Sequence, residues 1–328
     1  MTVAVTGASG YLGVNLVRQL VADGESVRAL DVARSPHFPS GVEFRKANVL
    51  DPESIRSALT GVDTVYHLVA KITLSEQDEI AWRLNVDGAR NTAEAALAAG
   101  VRRYVHCSSI HAFDQYRCQE IDETSPRSED GKIPVYDRSK WAGEQQVQEV
   151  VKAGLDAVIC NPTGVYGPTD FGMAGLSRIN GLIAMAIRGR MPFTLEGGFD
   201  LVDVRDVATG LVAAADRGRT GENYLLAGEF CVMADVFRRA ARKAGRSGRI
   251  AAVPLRAVLP MIPIAERIGK RFGSDLISAG SLAALVASPR IDNAKAVTEL
   301  GYRARTSTQT VDDLVEFLQF ARTQRQRA

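Results

Sequence analysis

Cysteine and histidine are both scarce, at four residues each in 328. Cys107, Cys118, Cys160 and Cys231 lie far apart and never fall at ligand spacing with one another or with a histidine. That excludes a disulfide framework and leaves metal chemistry without support. The cysteines read as reduced thiols of a cytoplasmic protein. Charge of one sign is missing as well: 40 basic residues stand against 38 acidic ones, a formal net charge of +2. Such a balance gives nucleic acid or an anionic membrane no reason to bind. Long hydrophobic runs are absent. The most apolar late stretch, 251–264, is interrupted by Arg256 and three prolines, too short and broken to span a bilayer. The chain opens directly on a strand-like run, so no secretory leader is expected. There is no internal repeat and no low-complexity segment.

What remains is an ordinary globular composition, 46% hydrophobic and 24% charged, long enough for one large α/β domain or two lobes. The opening stretch organises it. Thr2 to Thr6 is a β-branched apolar run, Gly7, Gly10 and Gly13 follow at G-x-x-G-x-x-G spacing, and Leu12, Leu16, Val17, Leu20 and Val21 recur at helical spacing. Strand, glycine turn and helix in that order suit a dinucleotide pyrophosphate. Glycines let the backbone approach the phosphates, and the helix start offers free N–H groups and a positive dipole end. The bland alternative is an ordinary glycine-rich turn. Glu25 to Leu30 then runs apolar-alternating into Asp31, where a second strand's end places an acid for the adenosine ribose hydroxyls. A solvated turn residue is the other reading of Asp31.

Strands are further expected at 42–44, 62–70, 102–109 and 156–160, and helices from Asp51-Pro52 onward, at 80–99, at 136–152 and at 176–187. Segments 201–204 and 224–226 look like returning strands around a helix at 206–215, and 231–328 reads as mostly helical. Alternating strands and helices argue for α/β class with a doubly wound parallel sheet. Residues 1–163 and 199–227 are assigned to that dinucleotide-binding domain, and 164–198 and 228–328 to a smaller, non-contiguous, mostly helical lobe for the substrate.

Tyr136 and Lys140 are one helical turn apart on one face. Hydride transfer to a carbonyl needs a proton donor, and an ammonium beside a phenol is expected to favour the phenolate and draw its acidity toward neutral pH. An exposed helix face is the plain alternative for such a pair. Ser108 and Ser109 end the fifth strand, where a hydroxyl can hold the reacting oxygen or simply bond local backbone. His111 reads as a loop histidine and His67 as a crevice-wall residue.

Gly7-x-x-Gly10-x-x-Gly13, His67-Leu68-Val69-Ala70, Asn85-Val86-Asp87-Gly88, Ser108-Ser109, Tyr136-x-x-x-Lys140 and 161–168 (NPTGVYGP) form an ordered set over nearly the whole chain. The set resembles the extended short-chain dehydrogenase/reductase family, also called the NAD-dependent epimerase/dehydratase family. Segments 109–113, 136–140 and 199–207 are most similar to its bacterial dihydroflavonol-reductase-like branch, with the 3β-hydroxysteroid dehydrogenases as relatives. The resemblance implies a Rossmann fold and an NAD(P)-dependent enzyme. Tyr136 would be the acid/base, Lys140 would hold the nicotinamide ribose and tune Tyr136, and Ser109 would bind the reacting oxygen, ahead of Ser108. It also implies a cofactor set of Gly7, Ser9, Gly10, Tyr11, Leu12, Gly13, Asp31, Arg34, Asn48, Val49, Leu68, Val69, Ala70, Asn85, Ser108, Tyr136, Lys140, Pro162, Gly164 and Val165, with no metal. Pro162 and Val165 would face the nicotinamide, and Asn48 and Val49 the adenine. Asp31, with Val32 where NADP-using relatives tend to place an arginine, favours NAD; Arg34 keeps NADP as the alternative.

Two departures bear on substrate. Nucleotide-sugar relatives carry an arginine where this chain has Phe199, and a second one upstream of Asp292, where 281–288 contains none. Without that diphosphate clamp the expected substrate is a largely apolar small carbonyl compound or its alcohol. Phe171, Met173, Leu176, Met185, Met191 and Phe193 supply apolar lining, or merely a lobe core, while Arg178, Arg188 and Arg190 offer an alternative clamp. A nucleotide-sugar epimerase or dehydratase, and more remotely a non-catalytic dinucleotide sensor, are the competing functions. Homodimerisation is left open.

Overall fold

A computed structural model describes residues 1–169, 177–258 and 288–327. Its framework is β1 (Thr2–Thr6), α1 (Tyr11–Ala22), β2 (Ser26–Asp31), β3 (Glu43–Lys46), α2 (Pro52–Ala58), β4 (Thr64–His67), α3 (Glu79–Ala98) and β5 (Arg103–Cys107). A 3-10 turn (Ile110–Ala112) and β6 (Glu120–Ile121) precede α4 (Val135–Lys152) and β7 (Ala157–Pro162). Then follow β8 (Gly164–Tyr166), α5 (Arg178–Ile187), β9 (Phe193–Leu195), β10 (Gly198–Asp203), α6 (Val204–Arg217), β11 (Asn223–Leu226), β12 (Glu229–Val232) and α7 (Met233–Lys243). Short β13 (Ala251–Val253), α8 (Leu255–Val258) and β14 (Arg290–Ile291) lead through a π-helical turn (Ala296–Leu300) to α9 (Ser307–Arg327).

Seven strands form the main sheet in the order β11–β7–β5–β4–β1–β2–β3. Every pairing in it is parallel. Helices cover both faces, as an all-parallel sheet requires. Leu16, Val17 and Leu20 of α1 and Val207, Leu211 and Ala214 of α6 pack on one face. Ile55 of α2, Ala89 and Ala93 of α3, and Val147 and Val150 of α4 pack on the other. Strand order reverses between β1 and β4, so a crevice opens beyond their carboxyl ends. Register puts Thr6 beside Leu30 and His67, His67 beside His106, and Cys107 beside Cys160. The residues that follow these positions therefore share one rim.

The second half departs from the sequence reading in detail. Gly198–Asp203 is not in the main sheet; it pairs with β8 and β12 in a separate three-stranded sheet. The 231–328 stretch holds strand residues in β12, β13 and β14 beside its helices. Strands of two to four residues leave too little alternation to be read from sequence. β4 is also shorter than 62–70, because the chain leaves the sheet after His67 while the Leu68 N–H still bonds Thr6 carbonyl at 3.2 Å. A third apolar cluster joins Tyr166, Leu201, Ile183 of α5, Phe237 of α7 and Leu314 and Leu318 of α9. Phe171, Met173, Leu176 and segment 281–287 lie outside the described residues. No described helix is long and apolar enough to cross a membrane.

Candidate active site at the crevice

The nucleotide end is built from backbone. Gly7 has φ +68°, and a Cβ there would stand 3.1 Å from the Val69 nitrogen, so Leu68 and Val69 lie directly against the turn. A Cβ at Gly13 would run into the Gly7 carbonyl oxygen and sit 2.7 Å from Ala8 backbone. Glycine at that position is what lets α1 pack against β1. Gly10 caps α1 without a side-chain hydrogen bond, leaving the N–H groups of the first turn to the crevice. Asp31 holds the turn in place: one carboxylate oxygen accepts the Ser9 N–H at 3.0 Å and the other the Val32 N–H at 2.7 Å. The Ser9 hydroxyl donates to Ala33 carbonyl at 2.6 Å. A glycine cradle, an uncapped helix start and a carboxylate at the second strand's end together fit a dinucleotide.

The other expected cofactor residues divide. Leu68 and Val69 follow β4 at the rim and remain partly open, and Ala70 is exposed. Arg34 is exposed, its guanidinium 5.8 Å over the Phe44 ring. Asn48 is exposed and its side chain accepts the Leu50 N–H at 3.0 Å, whereas Val49 is buried and packs against Gly88 of α3. Leu12 packs partly buried on the core side of α1. Tyr11 points to the small lobe: its hydroxyl donates to Gly167 carbonyl at 2.8 Å and accepts from Asn180 of α5 at 3.2 Å. Asn85 is buried, with Lys71 N–H, Lys71 carbonyl and the Ser139 hydroxyl as partners, the last tying it to α4. Pro162 is buried at the end of β7, and Val165 is partly open. A Cβ at Gly164 would meet Leu201 at 2.8 Å, which ties that glycine to close packing with β10.

The other end is built from side chains of three segments. α4 begins at Val135, with Pro134 before it, and puts both Tyr136 and Lys140 on its buried face. The Ser109 hydroxyl stands against the Tyr136 phenol, where it favours the ionised form, and it accepts the His111 N–H at 3.3 Å. Ser108 does not join them; its hydroxyl is buried with no partner among the described residues. The Lys140 ammonium donates to Cys107 carbonyl at 2.9 Å. Tyr136 acidity runs opposite to the expectation. Burial pushes the phenol well above its ordinary range, and the nearby Ser109 hydroxyl only partly opposes this. Lys140 is not the ruling influence, because its charge is turned to Cys107 and burial lowers its own pKa.

Two features escaped sequence reading. Glu144, one turn beyond Lys140, is fully buried and accepts from Asn161 at 2.6 Å, Asn223 at 3.0 Å and Arg127 at 3.2 Å. Asn161 also donates to Ser109 carbonyl at 3.0 Å, so this network fixes the backbone that carries Ser109. A glutamate four residues after the lysine was the only available signal. The second feature is His111, which is more than a loop residue: its Nδ1 lies 3.1 Å from Asp137 and its ring stands edge-on to Tyr136 with centroids 5.3 Å apart. Beneath the site His67 and His106 stack at 5.5 Å. The His67 Nδ1 meets the Thr6 hydroxyl at 2.8 Å, while its Nε2 and both His106 nitrogens are buried without a partner among the described residues. Burial, with Lys140 nearby, pushes His67 down to about 3 and His106 far down too, so both rings are neutral.

Known proteins resemble the chain along its whole length. Residues 3–227 match the description "NAD dependent epimerase/dehydratase family". The chain is 34% identical to sterol demethylase protein B of Methylococcus capsulatus, over 92% of this chain and 93% of that protein. It is 30% identical to a putative dihydroflavonol 4-reductase of Synechocystis, over 96% and 94% of the two chains. The crystal structure of a protein called gox2253 superposes with TM-score 0.82 at 30% identity, covering 97% of this chain and 98% of that one. UDP-glucose 4-epimerase of Thermotoga maritima, solved with UDP-glucose, superposes with TM-score 0.79 at 19% identity over 99% and 100%, a likeness of fold alone.

Proposed function

Because the chain belongs to the NAD-dependent epimerase/dehydratase family, as an enzyme of the extended short-chain dehydrogenase/reductase type, we propose that it interconverts a ketone and a secondary alcohol on a largely apolar small molecule. The carrying observation is the placement of the Ser109 hydroxyl against the Tyr136 phenol just past the end of β5, beside the buried Lys140. NAD(H), the nucleotide this reading prefers over NADP(H) on account of Asp31, supplies the hydride exchange when bound. The chain's residues do the rest. In reduction, Tyr136 gives its hydroxyl proton to the carbonyl oxygen as the C–H bond forms, and Ser109 donates a hydrogen bond to the same oxygen. In oxidation the phenolate takes the alcohol proton back. A buried phenol with a raised pKa is protonated at neutral pH, which suits the reducing direction. Lys140 braces the Cys107 carbonyl at the strand end that carries Ser109.

The substrate class rests on Phe199 and on the relatives. Phe199 packs partly buried against the small-lobe core and offers no cation to a diphosphate. Arg178 opens α5 and Arg188 follows its end, roughly 15 Å away along the axis at about 1.5 Å per residue, which argues against Arg178 joining Arg188 or Arg190 in one diphosphate clamp. Two of the relatives are named for sterol and flavonoid chemistry, which agrees with an apolar skeleton. NADH consumption with steroidal and aromatic ketones, run beside calorimetric titration of the NAD-loaded protein with UDP and UDP-glucose, tests the reading. Ketone turnover with no UDP binding is expected; micromolar UDP binding with no ketone turnover overturns it in favour of an epimerase.

A further inference from the structure

His111 and Asp137 form a pair that the proposed chemistry does not use. Asp137 follows Tyr136 on α4 and is buried, with 2% of its side chain exposed, whereas the His111 side chain keeps 31%. The His111 ring therefore sets one nitrogen on a covered carboxylate while the side chain as a whole stays partly exposed. Facing a carboxylate, Nδ1 must be the donor. The backbone that carries the ring is held on both sides, by the His111 N–H on Ser109 and by the Ser128 hydroxyl on His111 carbonyl. Other titratable groups around the pair are few. From α4 come Tyr136 and Asp137; from the loop after the turn come Tyr116, whose hydroxyl lies 3.5 Å from Asp137, and Asp114. Arg127 is engaged by Glu144, and Lys140 by Cys107.

We propose that His111 is a positioning residue for Tyr136: clamped by Asp137, it fixes the phenol ring edge-on and couples the phenol's acidity to the charge of the His111–Asp137 pair. This rests on Tyr136 being the acid/base. The Asp137 charge works against phenolate formation, because two anions would be neighbours on one helix turn. A proton on His111 cancels that charge. The pair favours such a proton: burial works to lower the His111 pKa, but Asp137, by charge and by hydrogen bond, more than reverses it and leaves it raised. Tyr136 thus meets a neutral pair when His111 is protonated and an anion when it is not. Coupling of this kind is reciprocal, so a phenolate at Tyr136 also holds the proton on His111.

The test is the pH dependence of proton transfer itself, read as the single-turnover rate at which the NADH-loaded protein reduces an aromatic or steroidal ketone, with the His111 titration placed by NMR on isotope-labelled histidine. In the wild type the rate should fall roughly threefold as pH rises through that titration, because the proton that eases phenolate formation is lost. His111→Gln should run near the wild type's high-pH rate throughout, with no step. Asp137→Asn should move the His111 titration, and the step with it, down by about one pH unit. A merely structural role would lower the rate at every pH alike. A wild-type rate that stays flat through the His111 titration, or a step that persists in His111→Gln, overturns the coupling. Loss of the Tyr136 role itself would be seen separately, as undiminished turnover in Tyr136→Phe.

Discussion

The two ends of the crevice are made in different ways. At the nucleotide end the working parts are backbone: a left-handed glycine, a helix start with no side-chain cap, and one carboxylate that bonds the turn it serves. At the proposed reacting end they are side chains from the turn after β5 and from α4, braced by Asn161, Asn223 and Arg127 from three further segments. A backbone site is specified by local sterics and fails if one atom is added. A side-chain site is specified by distant packing and fails by degrees.

The sharpest way to break that contrast is at Gly13. Gly13→Val should abolish nucleotide binding and cost more than about 4 kcal/mol of stability, because the new Cβ collides with unyielding backbone; thermal denaturation and fluorescence titration with NADH check this, and a folded, NADH-binding variant would show that the turn yields. At the other end Tyr136→Phe should lower turnover by roughly 10² to 10⁴ while leaving NADH affinity nearly unchanged, as measured by single-turnover kinetics beside the same titration. A smaller effect is expected at Asp31. The wild type should bind NADH more tightly than NADPH, and Asp31→Asn should narrow that preference by about tenfold, the worth of one like-charge contact near a surface. Tighter NADPH binding by the wild type would end the NAD assignment.

The least effect concerns the stacked histidines that join the two ends, one bonded to Thr6 and both beside Lys140. Each is neutral when folded and free to take a proton when unfolded. Their contribution is complete above about pH 6.5, the ordinary histidine value, and declines as pH falls, for His67 down to about 3. His106→Phe should flatten the loss of melting temperature between about pH 6.5 and 5; an unchanged slope would mean that other groups carry the acid response.

The comparison also explains what could be read in the chain beforehand. The glycine spacing, Asp31 and the main-sheet strands show because their signals lie within a few neighbouring residues: burial on both faces makes β1 and β7 continuous apolar runs. The four-residue interval from Tyr136 to Lys140 is local too, so it showed which side chains share a face. Which way the Lys140 amine turns was not local; Cys107 lies 33 positions away, and its carbonyl takes the ammonium. The sign of the Tyr136 shift was lost for that reason. The resemblance assigns Asn85 to the cleft; its bonds to Lys71 and Ser139, a junction that only folding brings together, carried no signal in the sequence. The His111–Asp137 pair spans 26 positions and carries no motif.

The place of β11 has a consequence in time. It is the outer strand beside β7, yet it is made about sixty residues later in the chain. At about 5–20 residues per second, ribosomal synthesis leaves an interval of roughly 3 to 12 seconds between the two strands. All six residues of β7 are buried in the finished fold, and its unpaired side would stand open throughout that interval. The completed enzyme closes this edge; the nascent chain must survive with it bare.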